Sequence, residues 1–372
     1  MGEGRIRKFG DLPVDSGGRP IMPGPPGTTL PPADHTVPVS LYRLTNKSGT
    51  YVEICDLGGA IHSFVYTNRK TGKTYDIVMG ADSLEDQRKK FGWNGSIIGR
   101  CVNRIGKGEL FIHEKKIQLE LNFGDIVMHG GKGMYAMKLF YPTLWEDDEG
   151  QKLTLYHKDL GEGGFPGQVD VWVTYILTAE NELKLRYKCL PTEDTILNIT
   201  SHVYLNVGGH DSGSIADHYL QLNANYFTPV GEGGLPTGEI LKTEGTVFDF
   251  RSPRKFREGL ESNDKYILLQ GGYDINMCLA GGGYRKVGYT YDEKSGLKLT
   301  LSTDMPGVQL YTACNDPPGS GYKNGAVYEK YGALCLETQY YPNATAHSQF
   351  PQPVFPGNTI FHSETGFSLS EI

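Results

Sequence analysis

Four short polar segments contain the side chains best suited to chemistry, and they lie far apart along the 372-residue chain. An imidazole and a carboxylate are the groups that most often transfer protons in enzymes, and amides and guanidinium groups bind polar ligands. All four of these groups occur in the segments, which are residues 99–108, 128–131, 198–206 and 334–339.

Two of the segments carry a titratable group in an unusual setting. In residues 198–206, Thr200, His202, Tyr204 and Asn206 alternate and would share one face of a strand. A face this polar is unusual for a core strand. Glu337 follows an apolar run, and a glutamate so placed is rarely buried without a partner or a task.

The other two segments each have a simpler structural explanation. The pair Asn103 and Arg104 lies among glycines and apolar residues, where a hairpin with a surface salt bridge would account for it. His129 is a lone histidine beside two glycines, and isolated histidines are more often structural groups than reagents. None of the four segments identifies a function alone.

The elements that must position these side chains are predicted to be strands. From about Val37 onward, short segments of alternating polarity are separated by Gly, Asn and Asp, a pattern typical of strands with one buried face. The clearest are residues 182–190, 219–227 and 297–302. Only residues 83–91 and 252–260 resemble short helices, each behind a Ser or Asp cap. The pattern predicts an all-β protein of packed antiparallel sheets.

The chain is predicted to consist of a Gly/Pro-rich N-terminal tail at residues 1–36 and a single domain at 37–372. The first segment has few apolar groups to offset the entropy of ordering it, which indicates a mobile tail or an extended strap on the surface. The length does not require two domains, because all-β proteins of this size often form one unit.

The composition excludes several classes of protein. A net charge of −7 without a basic run gives a nucleic-acid backbone nothing to bind. No stretch approaches the roughly 20 apolar residues that span a bilayer, and no apolar signal core follows Met1, so we expect a cytoplasmic protein. The six cysteines lack close metal-binding spacing and are predicted to be reduced and mostly buried.

Together the polar segments resemble the aldose 1-epimerase (galactose mutarotase) family, in order and from about residue 41 to 370. The resemblance also includes G-F-P-G at 164–167, V-x-V-x-Y at 171–175, P-T-G-E at 236–239, F-D-F-R at 248–251, G-Y-D at 272–274 and P-G-V-Q-x-Y-T at 306–312. Each motif is weak alone, whereas the ordered series is specific.

The resemblance implies a galactose mutarotase-like super-sandwich of two large antiparallel sheets, with an open cleft for the sugar. In that family the histidine that matches His202 is the general acid and the glutamate that matches Glu337 is the general base. The residues that match the positions holding sugar hydroxyls or the ring oxygen are Asn103, Arg104, His129, Tyr204, Asp274 and Gln309.

The implied reaction exchanges the α and β anomers of a free aldohexose such as galactose or glucose. It oxidises nothing and carries no group, so we expect no cofactor and no metal, and we expect a monomer. Small departures from the family, Met128 and Tyr340 where it often has Leu and His, bear on substrate preference and rate.

Three alternatives remain open at this point. A hexose 6-phosphate mutarotase would need added basic residues, which are not evident. A glycosidase could use Glu337 and Asp274 as a carboxylate pair. A sugar-binding protein on the same fold would need neither His202 nor Glu337 for proton transfer.

Overall fold

A computed structural model describes residues 5–17, 20–21, 32–316 and 318–372, and most of its regular structure is strand. The first fourteen strands are β1 (Ile6–Val14), β2 (His35–Thr45), β3 (Tyr51–Cys55), β4 (Ile61–Thr67), β5 (Thr74–Asp76), β6 (Ile97–Ile98), β7 (Arg104–Gly106), β8 (Glu109–Ile112), β9 (Lys115–Gln118), β10 (Ile126–Met128), β11 (Tyr141–Asp147), β12 (Gly150–Asp159), β13 (Val169–Leu177) and β14 (Glu182–Pro191). The remaining strands are β15 (Thr195–Ile196), β16 (Thr200–Ser201), β17 (Tyr219–Leu222), β18 (Ala224–Thr228), β19 (Leu241–Lys242), β20 (Arg254–Lys255), β21 (Asp274–Leu279), β22 (Arg285–Asp292), β23 (Leu297–Thr303), β24 (Gly307–Tyr311), β25 (Cys335–Gln339), β26 (Val354–Phe355) and β27 (Phe361–Glu371).

Three sheets dominate the described part of the chain. A nine-stranded sheet has the order β11-β12-β13-β14-β27-β23-β22-β17-β20. Two five-stranded sheets have the orders β1-β2-β3-β4-β5 and β19-β18-β21-β24-β25, and four strand pairs complete the structure. The strands in the three large sheets pair antiparallel, for example β13 with β14 and β24 with β25. The predicted all-β, antiparallel fold class is therefore confirmed.

The alternating pattern predicted at residues 182–190 is strand β14. Leu183 and Leu185 are buried, whereas Lys184 and Arg186 on the other face are half-buried. The buried face joins one hydrophobic core with residues from both five-stranded sheets, which include Val52 and Ile275. Burial of the apolar face of the nine-stranded sheet between these layers removes a large apolar area from water and holds the sheets together.

The alternation predicted at residues 219–227 is divided between two sheets. Strand β17 ends at Leu222 and pairs with β22 in the nine-stranded sheet. Strand β18 begins at Ala224 and pairs with β21 in a five-stranded sheet. The chain changes sheet at Asn223, whose backbone N–H donates to the carbonyl of Val287 at 2.8 Å. The alternation of apolar and polar residues continues across Asn223, so the sequence pattern does not show that the chain changes sheet there.

Helices are few and short. Helix α1 (Leu84–Asp86) begins after the capping residue Ser83 and continues into a π turn at Gln87–Phe91, as predicted for residues 83–91. Helix α2 (Arg257–Leu260) covers only the end of the predicted 252–260 segment, and α3 (Lys265–Gln270) was not predicted. Single 3₁₀ turns occur at Gly131–Gly133, Tyr135–Met137, Glu162–Gly164, Glu232–Gly234, Lys323–Gly325 and Ala344–Ala346.

Part of the predicted N-terminal tail belongs to a sheet. Strand β1 (Ile6–Val14) pairs antiparallel with β2, and the side chains of Leu12 and Val14 are buried. This part of the predicted segment is an extended strand on the sheet, and its apolar residues cover a hydrophobic cluster that includes Leu41 and Leu84. The N-terminal tail at residues 1–36 stays a prediction. Residues 22–31, in the Gly/Pro-rich run, lie outside the described residues. The single domain at 37–372 stays a prediction.

The cysteines and the helix lengths complete the description. The six cysteines are buried and none forms a disulfide, as predicted. Among the described residues, the helices are too short or too polar to cross a membrane.

Candidate active site

A polar cavity of about 360 Å³ brings together seven of the eight predicted site residues. The eighth, Gln309, lies behind one wall. The lining residues are Trp93, Asn103, Arg104, Phe123, Met128, His129, His202, Tyr204, Asp274, Tyr311, Asn315, Asp316 and Glu337.

His202 and Glu337 meet in this cavity from different elements. Glu337 is the middle residue of β25, directly opposite Gln309 on β24. His202 follows β16, and its backbone is held on both sides, by Ser96 and Gly95, through hydrogen bonds of 2.9 Å. The imidazole Nε2 of His202 lies 3.6 Å from Oε1 of Glu337. The two groups predicted to exchange protons therefore share one cavity.

The segment around His202 is less regular than predicted. The strand at residues 198–206 is limited to Thr200–Ser201, and the chain then leaves the strand conformation. His202 and Tyr204 line the cavity, and their rings stack with centroids 5.1 Å apart. Asn206 instead donates to the carbonyls of Gly213 and Gly332 at 2.9 Å, so it fixes the backbone away from the cavity.

Burial moves the pKa values of the two central groups in opposite directions. Removal from water disfavours the imidazolium and lowers the pKa of His202 to about 4. The same cause, reinforced by the nearby charge of Asp274, raises the pKa of Glu337 well above its usual value, and Arg104 opposes this shift. Oε2 of Glu337 and Nδ1 of His202 have no hydrogen-bond partner. Burial in the cavity thus favours the uncharged form of each group.

Asn103 and His129 hold each other in place on one wall. The N–H of His129 donates to the carbonyl of Asn103 at 2.9 Å, and the N–H of Asn103 donates to Nδ1 of His129 at 3.3 Å. Both residues have a left-handed backbone, with φ of 66° and 53°, a strained conformation that is often found at functional sites. Burial lowers the pKa of His129 well below its usual value. Its neutral ring therefore carries its proton on Nε2.

Arg104 is part of a buried polar network and not of a surface salt bridge. Its Nη2 donates to Oδ2 of Asp274 at 3.1 Å, and its Nη1 donates to Oδ1 of Asn103 at 3.3 Å. Gln309 donates to the other oxygen of Asp274 at 2.6 Å and accepts from Gln339 at 3.1 Å. Gln309 therefore positions Asp274 from behind. The hairpin explanation of Arg104 is wrong, because its partner comes from another sheet.

Two glycines permit this close packing. At Gly130, which has φ of 93°, an added Cβ would lie 1.9 Å from the carbonyl oxygen of Gly99. At Gly234, with φ of 73°, a Cβ would lie 2.8 Å from the guanidinium carbon of Arg104. Only glycine fits at either position without moving His129 or Arg104.

Several lining residues were missed by sequence reasoning. Trp93 packs against His129 with ring centroids 5.2 Å apart, and Tyr311 meets His202 edge-on at 6.1 Å. Tyr311 lies two residues after Gln309, which could have indicated it, since alternate strand residues share a face. Trp93 and Asp316 lie in irregular segments and gave no periodic signal. Among the described residues, no group of three or more His, Cys, Asp or Glu side chains is placed to hold a metal ion.

The fold and the cavity define a large antiparallel β protein with a buried histidine and a buried glutamate side by side in a pocket of sugar size. Residues 40–365 match the family described as Aldose 1-epimerase, and the chain belongs to this family. The chain is 34% identical to a galactose mutarotase of Bos taurus over 321 residues, which are 86% of this chain and 91% of the relative. The same values hold for a galactose mutarotase of Homo sapiens. An aldose 1-epimerase of Escherichia coli is 28% identical over 85% of this chain and 90% of its own length.

Solved structures agree with this assignment. A galactose 1-epimerase of Lactobacillus acidophilus superimposes with a TM-score of 0.80 at 25% identity, covering 92% of this chain and 98% of that chain. An aldose epimerase homologue of Caenorhabditis elegans also gives 0.80, at 24% identity over 89% and 99%. The second likeness concerns the fold alone.

Proposed function

We propose that this protein is an aldose 1-epimerase, or mutarotase, that exchanges the α and β anomers of a free hexose such as galactose or glucose. The observation that carries the proposal is the meeting of His202 and Glu337, 3.6 Å apart, at one polar cavity. Membership of the aldose 1-epimerase family supports it.

The reaction needs two coupled proton transfers. Glu337 accepts the proton of the anomeric hydroxyl, the bond between C1 and the ring oxygen breaks, and His202 donates a proton to that oxygen. The open-chain aldehyde rotates about its C1–C2 bond, and the reverse transfers close the ring on the other face. No electrons leave the sugar, so a proton donor and a proton acceptor are sufficient.

The pair must hold one proton in total when the sugar binds. Burial by itself favours that proton on Glu337 and not on His202. Arg104 favours the ionised carboxylate, and a sugar hydroxyl that donates to Glu337 would do the same. The bound sugar would therefore move the pair toward the working arrangement, with His202 as acid and Glu337 as base.

The remaining predicted residues would hold the sugar. Asn103, Arg104 and Asp274 offer donors and acceptors on one side of the cavity, and His129 offers its Nε2 proton. The ring of Tyr204 stacks on the ring of His202 and supports it. Gln309 would act on the sugar through Asp274.

We further propose that the enzyme is a cytoplasmic monomer whose partner is a neutral aldohexose and not a nucleic acid. The net charge of −7 disfavours a nucleic-acid partner.

Polarimetry tests the function directly. Pure α-galactose or α-glucose is dissolved, and its optical rotation should reach equilibrium faster with the protein than in buffer. An unchanged rate with both sugars would contradict the proposal and favour a sugar-binding protein. Release of a new reducing sugar from an aryl glycoside would instead indicate a glycosidase.

Two substitutions test the roles of the acid and the base. We expect His202→Asn and Glu337→Gln each to slow anomer exchange by roughly 10²- to 10⁴-fold, the usual contribution of a positioned acid or base. His113→Asn and Glu329→Gln are matched controls, because these residues do not line the cavity. Near-normal exchange in both folded cavity variants would refute the assignment.

A further inference from the structure

Asp316 carries a carboxylate that lines the cavity, and it is not one of the predicted site residues. It follows β24, and its Oδ2 accepts a hydrogen bond of 2.9 Å from the hydroxyl of Tyr311. The backbone N–H of Asn315 donates to the same hydroxyl at 3.3 Å. The hydroxyl of Tyr204 also interacts with the carboxylate. These contacts fix Asp316 at the rim of the cavity, where one side of the residue remains exposed to solvent.

The charges that line the cavity are unbalanced. Besides Glu337, which burial favours in its protonated form, the carboxylates of Asp274 and Asp316 face one guanidinium group. That group is already paired with Asp274 at 3.1 Å. The two lining histidines add no cation near neutral pH, because burial lowers the pKa of both. Asp316 therefore has no cationic partner among the lining residues. Burial raises the pKa of its carboxyl, and the hydroxyls of Tyr311 and Tyr204, which donate to the ionised form, oppose this shift.

This arrangement treats neutral and anionic sugars differently. A hydroxyl of a neutral hexose can donate to a carboxylate oxygen of Asp316, as the tyrosine hydroxyls do. A phosphate or carboxylate group on the sugar cannot donate in its ionised form, and it would meet a like charge in a partly water-excluded space. Repulsion between two such charges at several ångströms is large enough to change binding about 10-fold or more.

We propose that Asp316 is a specificity-determining residue that accepts a hydroxyl of the neutral hexose and rejects hexoses that carry a phosphate or carboxylate group. The proposal rests on the proposed mutarotase function and adds the residue that selects its class of substrate. It also gives a physical reason against a hexose 6-phosphate mutarotase, in addition to the lack of basic residues.

The test compares Asp316→Asn with the unmodified protein. Asparagine keeps an acceptor oxygen of similar shape and removes the charge. Anomer exchange of galactose and glucose, and of glucose 6-phosphate and galacturonate, is measured by NMR exchange spectroscopy. The two anionic sugars are also tested as competitive inhibitors of galactose exchange. We expect kcat/KM for the neutral sugars to fall, because an amide oxygen is a weaker acceptor than a carboxylate, and the anionic sugars to gain about 10-fold in kcat/KM or in inhibition, so that the preference for neutral over anionic sugars decreases.

A second variant and a control complete the test. Asp316→Ala removes the acceptor as well, and we expect KM for galactose to rise several-fold while kcat stays within about 3-fold, the result of losing a binding contact. Glu329→Gln removes an exposed carboxylate on the same long connection between β24 and β25, outside the cavity, and should leave the selectivity unchanged. The gain for anionic sugars in Asp316→Asn should shrink at high ionic strength.

Each outcome has a distinct meaning. If the unmodified protein exchanges neutral hexoses but Asp316→Asn leaves the preference for neutral over anionic sugars unchanged, or Glu329→Gln alters it equally, the role of Asp316 is overturned and the mutarotase function stands. If the unmodified protein exchanges no neutral hexose, both proposals fail.

Discussion

At the scale of single residues, the opposite pKa shifts of His202 and Glu337 determine how the reaction should depend on pH. Because the pKa of His202 is lowered to about 4 and that of Glu337 is raised, the pair holds one proton over a wide interval. Below about pH 4 a second proton binds and no base remains. Above the raised pKa of Glu337 the proton is lost and no acid remains. The apparent values belong to the pair as a whole.

We therefore expect kcat/KM to be flat from neutral pH to about pH 5 and to fall near pH 4, not near the value of about 6.5 of an exposed histidine. Anomer exchange should be followed by NMR, with the buffer-catalysed rate subtracted at each pH. Circular dichroism at each pH confirms that the protein stays folded. A decline centred near pH 6.5 would show that the imidazole titrates as if it were in water.

Gly130 sets the position of His129, and its replacement should damage the site. Gly130→Ala would place a Cβ 1.9 Å from the carbonyl oxygen of Gly99, so the backbone must move and carry His129 with it. We expect kcat/KM to fall at least 10-fold and the melting temperature to drop. Gly49→Ala is a matched control, because Gly49 also has a left-handed φ, of 84°, but has no atom within 4 Å of the added Cβ. Its cost should be limited to the backbone, about 1 kcal/mol. Equal effects of the two substitutions on activity would contradict this explanation.

At the scale of elements, strand β1 should contribute to stability but not to catalysis. Leu12 is fully buried in a cluster with Val39, Leu41 and Leu84, away from the cavity. We expect Leu12→Ala to lower the free energy of unfolding by about 2–5 kcal/mol. In the same strand, Ile6 is 51% exposed, so Ile6→Ala should change it by less than about 0.5 kcal/mol.

Urea unfolding measures both β1 variants, and polarimetry below the transition checks their activity. A small effect of Leu12→Ala would mean that β1 is not held against the sheet in solution. A large loss of activity in the folded variant would mean that β1 supports the cavity as well.

Some strands could be predicted from the sequence, whereas the way in which they join the sheets could not. Strands such as β14 were predictable, because one buried face imposes period two on the sequence. The transfer of the chain at Asn223 was not, because alternation continues while the hydrogen-bond partners change sheet. Seven of the eight predicted site residues line the cavity because motifs shared with a family preserve local chemistry. Gln309 lies behind Asp274, and the hydrogen bond between their side chains, which shows this, has no signal in the sequence. Asp316 belongs to none of these motifs, and only the folding of the chain brings it to the cavity.

At the scale of the whole molecule, a buried ion pair joins the predicted binding segment, residues 99–108, to the nine-stranded sheet. Arg100 donates to both carboxylate oxygens of Asp159, at 2.9 and 2.7 Å, and also to Thr195 at 3.1 Å. Tyr135 donates to the same carboxylate at 2.8 Å. Arg100 is 1% exposed and lies three residues before Asn103. Its interactions thus fix the start of the binding segment.

We expect Asp159→Asn to lower the free energy of unfolding by about 3–5 kcal/mol, because it leaves the guanidinium charge of Arg100 buried without its counterion. Asp194→Asn is the matched control, since Asp194 pairs with His113 on the surface and such pairs contribute about 0–1 kcal/mol. Thermal and urea unfolding measure both. If the two variants lose the same stability, the buried pair is not the structural link described above.

Because all six cysteines are buried, the rate at which they react with thiol reagents can measure local opening of the structure. The thiolate is the form that reacts with alkylating reagents, and burial raises the pKa of Cys101 and Cys314 to about 12. Labelling must then wait for a local opening that admits both water and reagent. Cys314 directly precedes Asn315 in the wall of the cavity, so an occupying sugar should slow its labelling. Cys101 lies in a separate hydrophobic cluster with Leu110 and serves as an internal reference. The native thiols would thus measure the rate of local opening in this enzyme without any introduced probe.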